Sequence, residues 1–149
     1  MLTLSTALHA DDSIPANNNS PFSISLELTT KYMWRAIEYG DAPTSFALIN
    51  YERKGFSAYA EGVYAFNGSH SEVDLGVAYN YKWLTVGLND YYYPTSVGEK
   101  DHYFKLSSRK TGHYVEGAAT IAPNSIPIWH TLSTYFWGAD KKPANDKDA

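Results

Sequence analysis

The chain reads as an all-β protein, an antiparallel up-and-down sheet of about eight strands. Three observations predict this. Apolar and polar residues alternate with a period of two through most of the stretch from Phe22 to Trp137. Turn residues interrupt the alternation at short intervals, and no apolar stripe recurs at helical spacing. Aromatic residues, 15% of the 149 positions, gather near the ends of the alternating segments.

The first strand is expected over Phe22 to Tyr32. Phe22, Ile24, Leu26 and Leu28 fall on one side; Ser23, Ser25, Glu27 and Thr29 fall on the other. It runs through Tyr32-Met33-Trp34-Arg35 into a loop containing Gly40-Asp41-Ala42-Pro43. A second strand, Ser45 to Glu52, turns at Arg53-Lys54-Gly55 into a third, Phe56 to Phe66, where Ala58, Ala60 and Gly62 are small. Asn67-Gly68-Ser69-His70 is a turn signal. Strand four, Glu72 to Asn80, sets Val73, Leu75, Val77 and Tyr79 against Asp74, Gly76, Ala78 and Asn80. A minimal turn at Tyr81-Lys82 leads into strand five, the cleanest, with Leu84, Val86 and Leu88 opposed to Thr85, Gly87 and Asn89. After a polar loop from Pro94 to Asp101, strand six is expected over His102 to Ser107, and Arg109-Lys110-Thr111-Gly112 turns it back. Strand seven spans His113 to Ala122, a proline-flanked loop runs from Pro123 to Pro127, and strand eight spans Ile128 to Trp137. Connections after strands one, three, five and seven are then the longer ones.

Residues 1–10 resemble the end of a secretory signal, with small residues before candidate cleavage points at Ala7 and Ala10; the missing basic segment leaves a frayed terminus as the alternative. Residues 11–21 read as a flexible linker, 22–137 as the barrel domain, and 138–149 as a polar tail or truncated loop. Charged residues make up only 19% of the chain, below the quarter usual in soluble domains. A mean hydropathy of -0.39 fits the lack of any membrane-spanning helix, but alternating strands leave no trace in hydropathy averages. A net charge of -4 without a basic stripe gives no reason to expect nucleic acid as a partner. The absence of cysteine rules out disulfides and thiolate metal sites.

One greasy and one wet side suit both a soluble sandwich or barrel and a membrane barrel; they differ in which side faces inward. Ionisable residues recur on the expected polar faces near mid-strand at Glu27, Glu61, Asp74, Asp90, Lys105 and Glu116. They could line a wet lumen or solvate the outside of a soluble barrel. The aromatics Tyr32, Trp34, Tyr64, Phe66, Tyr79, Trp83, Tyr91, Tyr93, Tyr135 and Trp137 stand at strand ends, as in membrane-interface belts. Several strands also reach the roughly 9–11 residues of a tilted membrane-crossing strand. Together these favour a transmembrane barrel whose partners are outer-membrane lipid and small solutes, with oligomeric state open.

The run Thr30-Lys31-Tyr32-Met33-Trp34-Arg35-Ala36-Ile37-Glu38, followed by Asp41-Ala42-Pro43, Tyr51 and Gly55-Phe56-Ser57-Ala58-Tyr59-Ala60, resembles the TorF-type porin family of Gram-negative outer membranes. That family's hallmark is Ser-Asp-Tyr-x-aromatic-Arg-Gly at the end of the first strand, then a proline-containing loop, a strand, and a tight turn into Gly-Phe-Tyr-x-Gly. Tyr32, Trp34, Arg35 and Gly55-Phe56 match; Thr30-Lys31 and Ala36 depart from it. Val73-Asp74-Leu75-Gly76-Val77 and Tyr91-Tyr92-Tyr93-Pro94 resemble later family elements. The resemblance implies an outer-membrane β-barrel and a pore, and supplies no substrate. Family members are longer and finish on an aromatic residue, so the chain is either a fragment of a larger barrel or closes with strand eight and a free tail.

Arg35 is the residue to watch: it could pair with Glu27, Glu61 or Asp74, either as a charged constriction that selects permeants or as an ion pair filling a narrow barrel. Glu61, Asp74, Asp90 and Lys105, with Glu27 and Glu116, carry the same two readings: lumen lining in a wide barrel, plug in a narrow one. The five histidines form no metal-ligand spacing, so neither a metal nor a cofactor is expected. Ser69-His70-Ser71-Glu72 is the one compact candidate for hydrolytic chemistry, and turns favour such residues for conformational reasons, so the chain is not expected to be an enzyme. The candidate functions are passive diffusion through a polar lumen, a plugged barrel with binding loops, or a soluble barrel holding an apolar ligand.

Overall fold

A computed structural model describes residues 20–94, 102–106 and 111–139. The expected signal remnant, most of the linker, most of the loop after Pro94, and the tail from residue 140 lie outside the described residues. Nine strands are present among those described: β1 (Phe22–Thr29), β2 (Tyr32–Trp34), β3 (Ile37–Gly40), β4 (Thr44–Arg53), β5 (Phe56–Ala65), β6 (Ser71–Tyr81), β7 (Leu84–Tyr92), β8 (His113–Ile121) and β9 (His130–Gly138). Seven of them form one antiparallel sheet in the order β1-β4-β5-β6-β7-β8-β9, and β2-β3 form a separate hairpin inserted between β1 and β4. The sheet is a meander with two edges: among the described residues β1 and β9 each pair on one side only.

Backbone turn chemistry sets the tight connections. Arg53 pairs with Phe56, leaving Lys54 (φ 51°) and Gly55 (φ 83°) as a two-residue turn whose twist matches that of the strands. Gly55 is required twice over, because a Cβ there would meet the Asn80 carbonyl oxygen at 2.6 Å. Tyr81 pairs with Leu84, so Lys82 (φ 58°) and Trp83 make the second tight turn.

Two sequence expectations fail here. The first strand stops at Thr29, and the expected loop from Ile37 onward instead folds back on Tyr32–Trp34 as a hairpin. Arg35 (φ 48°) and Ala36 (φ 64°) form its two-residue turn, and neither residue type advertises a positive φ. The expected strand six does not form among the described residues, where 102–106 is irregular. With that strand gone, the connection 122–129 falls at the same end of the sheet as the two tight turns. The alternation of connection length between the two ends is therefore broken there.

The register separates the two faces cleanly. One face carries Leu26, Ala47, Gly62, Val73 and Tyr92 in one cross-strand row, and Ile24, Ile49, Ala60, Leu75 and Asp90 in the next. The other carries Ser25, Leu48, Glu61, Asp74, Tyr91 and Tyr114, then Ser23, Asn50, Tyr59, Gly76, Asn89 and Glu116. Burial runs against the pattern of a water-soluble sheet. Ile24 is 80% exposed, Leu26 72% and Leu88 49%, whereas Asp74 is 5% exposed and Glu116 1%. The apolar face is bare and the polar face is covered across β4 to β8, while Ser23, Ser25 and Glu27 on β1 stay exposed.

Candidate functional site

The β2-β3 hairpin covers the polar face. Tyr32 and Trp34, two residues apart on β2, share a side and turn it toward the sheet. The Tyr32 ring meets Phe46 of β4 edge-on at 5.0 Å, and its hydroxyl donates to Glu72 Oε2 at 3.3 Å. Trp34 meets the Tyr91 ring at 5.7 Å. On β3, Tyr39 stacks on Tyr93 at 6.4 Å and meets His70 edge-on at 5.5 Å. The hairpin thus reaches from β4 to β7 across rings before its turn touches β8.

At that turn Arg35 and Glu116 form a bidentate pair: Nη1 donates to Oε1 and Nη2 to Oε2, each at 2.9 Å. Tyr91 donates a third hydrogen bond, to Glu116 Oε2, at 2.9 Å. The guanidinium lies 4.0 Å from the centre of the Trp34 ring, a cation–π contact. The hydrogen-bonded Glu116 carboxylate holds Arg35 above its ordinary range, against the effect of burial. Burial, then the Glu72 carboxylate, push the Tyr32 hydroxyl far up, and burial pushes Tyr39 up as well. Both phenols therefore remain donors among carboxylates.

Arg35 thus pairs with none of the partners proposed for it from sequence; Glu27, Glu61 and Asp74 share the covered face with Glu116, but none of them is bonded to Arg35. Glu61 and Asp74 are directly opposite one another on β5 and β6. Glu72 accepts from Tyr32 and contacts His70 Nε2 at 3.0 Å. The turn candidate Ser69-His70-Ser71-Glu72 therefore does contain a His–Glu contact, but among the described residues no serine hydroxyl is bonded to His70.

Two of the expected lumen residues are elsewhere. Asp90 has the parity of Leu84, Val86 and Leu88, and it stands on the bare face between Leu75 and Val115. There both its oxygens contact His113 Nδ1, at 2.9 and 2.8 Å, while His113 Nε2 faces the Tyr103 carbonyl at 2.6 Å. His113 is 1% exposed because Tyr92 and the 102–106 segment cover it. Lys105 lies in that irregular segment, so no strand face presents it.

The aromatic set divides as well. Tyr64, Phe66, Tyr79 and Trp83 are exposed at the ends of the bare face, and Trp137 pairs with Val115 on that face. Tyr32, Trp34, Tyr91, Tyr93 and Tyr135 are not on the rim at all. They form the ring cluster under and within the hairpin: Tyr91, Tyr93 and Tyr135 stand on the covered face, and Tyr32 and Trp34 meet that face from β2. Reading them as interface aromatics is corrected by that register. Sequence reasoning also missed His113, which pairs with Tyr92 on the bare face and so stands diagonal to Asp90 across the β7–β8 ladder.

Compared with protein-family models, with curated proteins and with solved structures, the chain gives no match.

Proposed function

We propose that this chain forms part of the wall of an outer-membrane β-barrel porin, with the covered polar face toward a wet lumen and the β2-β3 hairpin as its constriction. The observation that carries the reading is the inverted burial: aliphatic side chains such as Ile24, Leu26 and Leu88 are bare, while the carboxyls of Glu72, Asp74 and Glu116 are sheltered. Water would drive the opposite arrangement, at about 25 cal/mol per Å² of apolar surface, whereas hydrocarbon exacts no such cost. The bare face is also zoned. Phe22, Phe56, Tyr79, Tyr81 and Trp83 are exposed at the tight-turn end, Tyr64 and Phe66 at the other, and aliphatics lie between. From Phe56 to Tyr64 is about 26 Å along the strand and about 20 Å at the usual tilt, comparable to the apolar band of such barrels.

The resemblance to TorF-type porins supports the same reading through Tyr32, Trp34 and Arg35, the residues that dock the hairpin. Seven antiparallel strands leave β1 and β9 running in the same direction. Closing the sheet antiparallel throughout therefore requires an odd number of further strands between those edges. The hairpin favours a second reading, a plugged barrel that conducts nothing, because it spans the polar face and is fixed at both ends.

The test has two steps. The chain, folded into detergent micelles, is transferred to detergent-free buffer; precipitation or loss of β-structure is expected, and a monomer that stays folded there overturns the membrane assignment. The micellar protein is then added to planar bilayers. Discrete conductance steps support the porin, and a folded but silent protein leaves the plugged barrel.

A further inference from the structure

The two tight turns carry cations that stand outside the polar face. Arg53, Lys54 and Lys82 are exposed, and none of them forms a salt bridge among the described residues. Lys31 and Arg35, at the hairpin end, are each paired with a carboxylate. The turns bring the three cations together. The Gly55 carbonyl accepts from Asn80 N at 2.7 Å, so the first turn is bonded to the strand that leads into the second. Two strand spacings, about 10 Å, separate the turn centres. Lys54 and Lys82 hold the same place, the first residue of a two-residue turn, at φ 51° and 58°.

Strand parity sorts the charges at this end. Arg53 stands in register with Phe56, Tyr79 and Val86 on the bare face. Glu52, the one carboxylate beside these turns among the described residues, stands on the opposite face, where Asn50 Nδ2 donates to it at 3.1 Å. Next to the cations Phe56, Tyr79, Tyr81 and Trp83 are exposed, and Lys82 Nζ lies 5.2 Å from the centre of the Tyr81 ring. Cations just beyond an exposed aromatic row fit a layer that is apolar on one side and anionic on the other. A phospholipid leaflet is built that way. A soluble acidic partner would answer the charges and leave the rings uncovered.

We propose that Arg53, Lys54 and Lys82 bind the phosphate groups of anionic phospholipids, so that the tight-turn rim gathers those lipids around the protein. This rests on the bare face lying in lipid and is independent of whether the protein conducts. Arg53 reaches the head groups from the lipid side, and the two lysines reach them from the turns.

The test is tryptophan quenching of the full chain in phosphatidylcholine vesicles that contain a minor share of lipid with brominated acyl chains, either phosphatidylglycerol or phosphatidylcholine. Trp83 is exposed at this rim and reports the lipids beside it. Phosphatidylglycerol should be enriched there about fivefold over phosphatidylcholine, the order expected for a single lysine or arginine at such a surface. Arg53→Gln, Lys54→Gln and Lys82→Gln together should abolish the preference. In the parent protein about 1 M salt should lower it as well, because the screening length falls to about 3 Å; this second measurement decides the matter should the triple variant fail to fold. Equal quenching by the two lipids in the parent overturns the proposal and leaves the cations to an acidic soluble partner. A preference that survives the triple substitution or the high salt overturns it too. Glycerol 3-phosphate should compete no better than sodium chloride at equal ionic strength; if it does, the rim takes soluble phosphate esters and the lipid assignment is wrong. Absence of quenching by either lipid overturns the membrane reading itself, whereas equal quenching by both overturns the head-group preference alone.

Discussion

Two sheltered side-chain pairs, one on each face of the same sheet, show how shelter is obtained in different ways. Arg35–Glu116 lies on the covered face, where β8 supplies the carboxylate and a hairpin distant in sequence supplies the cation. Asp90–His113 lies on the bare face, where neighbouring strands supply both partners and a short segment of connecting chain covers them. In the first pair the carboxylate is almost fully enclosed and the cation partly open, with side-chain exposures of 2% and 42%. In the second the imidazole is enclosed at 1% and the carboxylate is at 28%. Strand parity decides which face a charge stands on, but the chain that folds over it decides whether the charge is buried.

The largest expected effect comes from breaking the first pair. Arg35→Ala leaves Glu116 enclosed with only Tyr91 and neighbouring hydroxyls as donors, and an uncompensated buried charge costs on the order of 3 kcal/mol. Urea unfolding of the micellar protein should show that loss. Because much of the cost is the orphaned carboxylate, Arg35→Met combined with Glu116→Leu should recover most of it. A double variant as unstable as Arg35→Ala would mean that the hairpin docks through its charge, and that the rings of Tyr32, Trp34 and Tyr39 contribute little.

His113→Ala is the matching break on the bare face, and a smaller loss is expected, about 2 kcal/mol, since Asp90 retains access to solvent. The distinguishing readout is local. Without the Nε2 contact to the Tyr103 carbonyl the 102–106 segment loses its anchor, so trypsin should cut after Lys105 sooner than in the parent protein. Cleavage there at the parent rate would show that the rings of Tyr92 and Tyr103 hold the segment unaided.

The contrast also explains what could be read from the sequence. Seven of the strands follow from alternation over eight to eleven residues, and the face of each carboxylate follows from counting by two; carried past Leu88, that count puts Asp90 on the bare face. The hairpin was hidden for a different reason. β2 and β3 have three and four residues, too few for a period to register, and their turn uses Arg35 and Ala36 where glycine or asparagine would have announced it. The Arg35–Glu116 pair spans 81 positions and depends on that hairpin, so no local pattern contains it. The aromatic residues misled because Tyr and Trp serve equally at a membrane rim and in a ring cluster around carboxylates; Tyr91 does the second one residue away from Tyr92, which faces the other way.

The turn itself gives a stabilising test. Ala36 is exposed and sits at φ 64°, a region that costs an L-residue with a Cβ roughly 1 kcal/mol or more. Ala36→Gly removes that strain but raises the entropy of the unfolded chain by about 0.4–1 kcal/mol, so the net gain should be roughly 0.5 kcal/mol. The sign is the informative part. A loss of stability would mean that position 36 leaves the left-handed region in the native protein and that the hairpin turn is built differently.

The smallest effect belongs to a third pair, on the same hairpin as Arg35 but on its open side. Lys31 Nζ and Glu38 Oε2 are 2.8 Å apart, closer than either contact in the Arg35 pair, yet their side chains remain 49% and 44% exposed. Water and salt screen such a pair, and ordering two long side chains offsets most of what attraction remains. Lys31→Ala should therefore cost less than about 0.5 kcal/mol, and raising the salt concentration should reduce even that. If Lys31→Ala instead approached Arg35→Ala, separation between charges rather than enclosure would govern how firmly the hairpin is held, and the difference drawn between the two faces would lose its cause.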